Sequence, residues 1–268
     1  MRQVKAVGVR CGQLGIPGDM QLEGAAQLWK AALAAEEFHV VTVFAAYEGE
    51  SYTDIATVQR TVGFIPPATR AEREARTCEI SDFAASLGVA RIACHIGFVP
   101  EDTADPDYLA VREMVRRVAD YAGRNGQTFA LETGQEPARM LLRFIEDAGR
   151  PNLRINFDPA NMILYGTGEP VEALGVLAPH VVSVHCKDGD WPESPGALGH
   201  ERRLGEGSVG IERFIAKLKE IGYRGTLNIE RESHEPGQKW RDIIDAVAFL
   251  KRLPGPYTGA GTASSRCP

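Results

Sequence analysis

The sequence predicts an α/β protein built as a parallel (β/α)8 barrel of the TIM type. Two observations lead there. β-like runs alternate with amphipathic helical stretches along almost the whole chain, and most of those runs are apolar throughout, as strands are when helices cover both faces of a sheet. A third observation separates a barrel from a doubly wound sheet. Four apolar runs stop on a side chain able to bind a metal: Phe129-Ala130-Leu131-Glu132, Ile155-Asn156-Phe157-Asp158, Val182-Ser183-Val184-His185 and Leu227-Asn228-Ile229-Glu230. A barrel gathers the C-terminal ends of its strands into one mouth, so those four side chains would converge. No Gly-x-Gly-x-x-Gly turn follows the first run, which weakens the dinucleotide-binding alternative.

Val4 to Arg10 reads as a strand, followed by a loop through Gly12, Gly15, Pro17 and Gly18. Asp19 is placed to cap an Ala-rich helix with Leu22, Ala25, Ala26, Trp29 and Leu33 at helical spacing. His39 to Ala45 is the second strand, and Tyr47 to Arg70 a long connection of the kind that forms lids. A helix from Ala71 to Leu87 stops at Gly88, followed by a strand from Arg91 to Ile96 that carries His95. Asp105-Pro106 opens the next helix. Strands then alternate with helices: Thr128 to Glu132, helix Pro137 to Ala148, strand Leu153 to Asp158, helix Pro170 to Leu177, and strand Val181 to His185. A Gly/Pro-rich loop covers Lys187 to Gly207, before helix Ile211 to Ile221, strand Thr226 to Glu230 and helix Trp240 to Leu253. This gives seven strands where a closed barrel has eight, so the first strand is either lacking or disguised in a loop. Residues 1–257 read as one barrel domain, and the small, polar stretch 258–268 as a flexible tail.

The composition excludes several classes. A formal net charge of −6 supplies no basic field for a phosphate backbone, which argues against a nucleic-acid partner. No run approaches the roughly 20 apolar residues of a membrane span. The five scattered cysteines form no Cys-x-x-Cys pair, and the first residues lack a signal-peptide pattern. The expectation is a cytoplasmic protein with reduced thiols.

Singly, each strand-end acid has a plain reading as a helix cap or ion-pair partner, and His185 one as a hydrogen-bonded core histidine. Together, three carboxylates and one imidazole spaced by βα units form a hard, oxygen-rich donor set. It suits one divalent ion, Mn(II), Mg(II), Co(II) or Zn(II), among which the donor set alone does not choose.

Five segments then resemble the sugar phosphate isomerase/epimerase superfamily, the xylose isomerase-like TIM barrels: Leu131-Glu132-Thr133-Gly134, Phe157-Asp158-Pro159-Ala160-Asn161-Met162, Val184-His185-Cys186-Lys187-Asp188-Gly189, Leu204-Gly205-Glu206-Gly207, and Gly222-Tyr223-Arg224-Gly225 leading to Ile229-Glu230. The resemblance implies that Glu132, Asp158, His185 and Glu230 hold the metal, and that Glu132 and Glu230 double as the acid/base pair. A metal chelating a carbonyl and its neighbouring hydroxyl acidifies the carbon-bound proton, and two carboxylates can remove and return it through an enediolate. The resemblance also suggests His95, Arg203 (or Arg202) and Asn161 as substrate contacts, and Lys187 and Asp188, which follow the metal histidine, either orient it or touch substrate. Glu48, Tyr52 and Trp191 belong to the two longest strand-end loops and are candidates to close over a sugar.

Departures narrow the activity. Endonuclease IV, in the same superfamily, needs a histidine where this chain has Asn161, and an Asp-x-His pair where it has Gly199 and Glu201. DNA repair is therefore not expected. Against the ketose 3-epimerases, Asn161 replaces a substrate-binding histidine, and Thr133-Gly134 a longer polar signature. The expected function is a metal-dependent isomerase or epimerase of a sugar, cyclitol or small hydroxyketone, acting in a homo-oligomer. A dehydratase of the inosose or dehydroshikimate type, and a non-catalytic sugar-binding protein that keeps the metal site, are the alternatives.

Overall fold

The computed structural model describes residues 1–233 and 235–253. Seven parallel strands form one sheet in chain order: β1 (Cys11–Ile16), β2 (His39–Ala45), β3 (Arg91–Cys94), β4 (Thr128–Glu132), β5 (Leu153–Phe157), β6 (Val181–Cys186) and, after a two-stranded hairpin, β9 (Leu227–Ile229). The hairpin pairs β7 (Asp188–Asp190) antiparallel with β8 (His200–Arg202). The helices are α1 (Arg2–Ala6), α2 (Ala25–Ala35), α3 (Ile55–Thr61), α4 (Arg70–Ser86), α5 (Pro106–Arg124), α6 (Ala138–Ala148), α7 (Pro159–Tyr165), α8 (Pro170–Leu177), α9 (Ile211–Glu220) and α10 (Pro236–Arg252). The sheet curls into a nearly closed TIM barrel, and no eighth strand pairs β1 with β9 among the described residues.

Burial follows the sequence pattern. Phe129, Ala130 and Leu131 of β4 are all buried, as both faces of a parallel strand should be. Helix α5 buries Tyr108, Val111, Met114, Val115, Val118, Ala119 and Ala122, an apolar stripe of period 3.6. Its start is set by Asp105, whose carboxylate accepts the Asp107 backbone N–H, and by Pro106 in the first turn.

The first strand is a correction. Residues 2–6 are helical, and the strand lies later, at Cys11–Ile16, through glycines read as loop. Its pairing with β2 runs from Cys11 opposite His39 to Ile16 opposite Ala45, so tertiary pairing outweighs the poor strand propensity of glycine. Asp19 caps nothing, because α2 begins at Ala25 behind Gly24. The connection 47–70 contains the short helix α3, and α7 follows β5 directly. The strand expected to carry His95 ends at Cys94, leaving His95 as the first residue of the loop above it. The expected tail, 258–268, lies outside the described residues. Cys78, Cys94 and Cys186 form no disulfide among the described residues.

Candidate metal centre

Four neighbouring strands each deliver one ligand-capable side chain at or just past the C-terminal end. Glu132 is the last residue of β4, Asp158 follows β5, His185 is next to last in β6 and Glu230 follows β9. One donor atom from each lies within 4.8 Å of all the others. His185 Nδ1 is the hub, at 2.8 Å from Glu132 Oε1, 3.3 Å from Asp158 Oδ2 and 3.2 Å from Glu230 Oε2. Glu132, Asp158 and His185 are buried, and Glu230 is partly open to the mouth. Asp158 also serves the backbone, since its Oδ1 accepts the Asn161 N–H and caps α7, which fixes the other oxygen toward His185.

Three carboxylates this close repel one another and are stable as anions only beside positive charge. Lys187, also buried, supplies some of it, donating to Glu230 Oε2 (3.1 Å), Glu232 Oε1 (2.9 Å) and Asn161 Oδ1 (3.2 Å). Burial opposes ionisation of Glu132, but the charges of His95 and His185 hold its carboxyl down to about 2. Burial likewise opposes charge on His95, yet the adjacent Glu132 carboxylate, 2.9 Å from its Nε2, lifts the imidazole to about 9. Against its own burial, Glu230 is held well below the usual carboxylate range by His185 and Lys187. An anionic cluster of oxygens with one imidazole, converging from four strands, fits a hard divalent cation.

Above it opens a cavity of about 710 Å³ lined by Tyr52, His95, Glu132, Asn161, Tyr165 and Glu230, among others. Of the expected substrate contacts, His95 and Asn161 therefore face the cavity, and Lys187 lies buried beneath it against Glu230 and Glu232. The others do not reach it. Arg203 is held by acids outside the mouth, Asp242, Asp245 and Glu206. Arg202 is likewise bound to Asp190, 2.6 Å away. Glu48 lines a separate cavity of about 250 Å³ with Arg73 and Arg76, while Glu50 takes the place at the mouth, pinned by the backbone N–H groups of Tyr47 and Gly63. Trp191, just beyond β7, is 41% exposed and stands outside the lining of the cavity. Asp188 neither orients His185 nor touches the cavity; it accepts four backbone N–H groups, from Gly189, Gly205, Gly207 and Val209.

Sequence reasoning passed over Glu50, Glu232 and Gln13. Glu232 had a signal, since extended backbone continuing past the strand places residues two apart on one side and Glu230 was already assigned to the mouth. Gln13 had none once its strand was placed at Val4 to Arg10.

The family model for the xylose isomerase-like TIM barrel matches residues 1–253. The chain belongs to that family. Within it, a xylose isomerase domain protein from Planctomyces limnophilus is 46% identical with a TM-score of 0.91, over 94% of this chain and 91% of that one. A D-allulose 3-epimerase from Methylomonas sp., solved with D-allulose, shares the fold at a TM-score of 0.71 and 18% identity, over 94% of this chain and 89% of that one. A xylose isomerase-like TIM barrel protein from Mycobacterium smegmatis, in complex with magnesium, does so at 0.67 and 18%, over 93% and 86%. In sequence, an L-ribulose 3-epimerase from Methylomonas sp. is 26% identical over 155 residues, which is 54% of this chain and 49% of that protein. The chain spans about half the length, or less, of the curated relatives it matches.

Proposed function

We propose that this member of the xylose isomerase-like family is a metal-dependent isomerase or epimerase of a sugar, cyclitol or small hydroxyketone. The observation that carries the proposal is the four-strand cluster of Glu132, Asp158, His185 and Glu230, of which Glu132 and Glu230 line a cavity of about 710 Å³, large enough for a sugar. The epimerases among its relatives support it. Glu132, Asp158, His185 and Glu230 would hold one divalent ion. When bound, it would supply Lewis acidity toward a carbonyl and its neighbouring hydroxyl. Mn(II) is our first expectation for its identity, with Mg(II), Co(II) and Zn(II) as alternatives.

The chain's own groups do the proton work. Glu132 and Glu230 reach the cavity floor from β4 and β9, separated in the sheet by β5 and β6. One carboxylate takes the proton from the carbon next to the carbonyl. Return of a proton from the opposite side inverts that carbon, and return to the neighbouring carbon isomerises the sugar. His95, bonded to Glu132, steadies that carboxylate and presents its ring edge to the cavity. Lys187 holds Glu230 and Asn161 in place through its ammonium. Loss of a β-hydroxyl after the same deprotonation would make the enzyme a dehydratase.

The test is a heavy-water screen over ketoses, inososes and keto-glycosides with Mn(II) or Mg(II) present. An isomerase or epimerase incorporates deuterium at carbon without a new ultraviolet band; a dehydratase develops an enone or diketone absorbance. A sugar-binding protein that retains the metal does neither.

A further inference from the structure

Gln13 stands in β1 immediately after a shift in its register with β2, and its side chain crosses the inside of the barrel. The amide nitrogen donates to Asn156 Oδ1 on β5 and to Ser183 Oγ on β6, each at 2.9 Å. Both of its hydrogens are then engaged by oxygens, and the amide oxygen faces His185 Nε2 at 2.8 Å. A carbonyl oxygen only accepts, so this contact requires the ring proton on Nε2. The other ring nitrogen, Nδ1, is the one turned toward Glu132, Asp158 and Glu230.

We propose that Gln13 is a positioning residue of the metal centre, which fixes His185 as the Nε2–H tautomer and so leaves the Nδ1 lone pair for the cation. The inference rests on the metal-centre reading above. An imidazole ligates through its unprotonated nitrogen, and the hydrogen bond at the other nitrogen sets both tautomer and ring plane. Reversing the Gln13 amide alone would bring its oxygen against Asn156 Oδ1, acceptor to acceptor. Asn156 and Ser183 therefore hold Gln13 the productive way round. The competing arrangement reverses both amides, so that the Gln13 amide nitrogen donates to Nε2 and places the ring proton on Nδ1, while Asn156 Oδ1 replaces the Nδ2 that now lies 3.2 Å from Nε2. That arrangement would block the Nδ1 lone pair on the side of the three carboxylates, where a cation needs it.

Two measurements test this. Histidine-ring ¹⁵N spectra of the Mg(II)-loaded protein, with the His185 signal assigned by its loss in His185→Gln, should show the Nε2–H tautomer; the Nδ1–H tautomer would overturn the proposal. In competition titrations, Gln13→Leu should weaken Co(II) binding by about ten- to a hundredfold. Gln13→Glu, which keeps an acceptor for the ring N–H, should recover most of that loss. Equal Co(II) affinity in the wild type and a folded Gln13→Leu would overturn the positioning role while the metal centre stands. Failure of the wild type to take up Co(II) at all would remove the metal centre, and this inference with it. If Gln13→Leu does not fold, the tautomer and the affinity of Gln13→Glu decide: a hundredfold loss in Gln13→Glu would count against the role.

Discussion

Glu136 illustrates how a single buried side chain contributes to the pH response of this barrel. It sits just past β4, buried, with Oε1 accepting the Val99 N–H at 2.9 Å. Burial lifts its carboxyl from an ordinary 4.5 to about 7. Between those values the folded protein holds a proton that the unfolded chain has released, so this group's contribution to stability falls as pH rises through that window and is constant above it. The full penalty is up to about 3 kcal/mol. Glu136→Gln keeps the carbonyl for Val99 and cannot ionise. Urea titrations of the variant at pH 5 and pH 8 should therefore differ less than those of the wild type; an equal drop in both proteins would show that Glu136 is not the group responsible. At this same scale the four clustered residues were legible in the sequence, because each ends an apolar run. Arg203, Glu48 and Trp191 were not, because their positions depend on which loop atoms they meet: Arg203 meets the acids of α10, and Glu50 displaces Glu48 at the mouth.

Among the elements, the β7–β8 hairpin rests on Asp188. Its two oxygens accept backbone N–H groups from Gly189, Gly205, Gly207 and Val209, tying the hairpin to the turn that leads into α9. The Leu204-Gly205-Glu206-Gly207 segment thereby acquires a physical reason: a Cβ at Gly207 would stand 2.4 Å from Asp188 Oδ1. Asp188→Ala would leave those donors without their acceptor, at about 1–3 kcal/mol for each group that stays buried. Limited trypsin digestion should then cut faster at Arg202 and Arg203, and an unchanged cleavage rate would contradict the tie. Elements with strong periodicity were readable in advance: β4 and α8 fall where expected, and α4, α5 and α6 start within a residue of expectation. The short elements escaped. Strand β1 is rich in glycine and is made by its pairing with β2, and α7 is one turn or two set by the Asp158 cap.

The molecule as a whole places the acid and histidine cluster on four adjacent strands, and among the described residues no strand closes the seam between β1 and β9. A cavity of about 360 Å³ lies along that seam and reaches His185 and Glu230, so the cluster is close to the edges of the sheet that do not pair. A cation bridging β4, β5, β6 and β9 would bind the folded state alone and stabilise it by about 2.7 kcal/mol at a hundred times its dissociation constant. Thermal melts with added Mn(II) or Mg(II) should rise by roughly 5–10 °C over melts in chelator, and no rise would argue against a site spanning those strands.

The central claim is that Glu132 and Glu230 move a carbon-bound proton of a polyhydroxy carbonyl compound, and deuterium exchange in the two glutamine variants tests it most directly. With a substrate found by the heavy-water screen, the metal-loaded wild type should exchange its C–H, while Glu132→Gln and Glu230→Gln, each folded, should lose that exchange by about a hundredfold or more. Full exchange persisting in both variants would contradict the account.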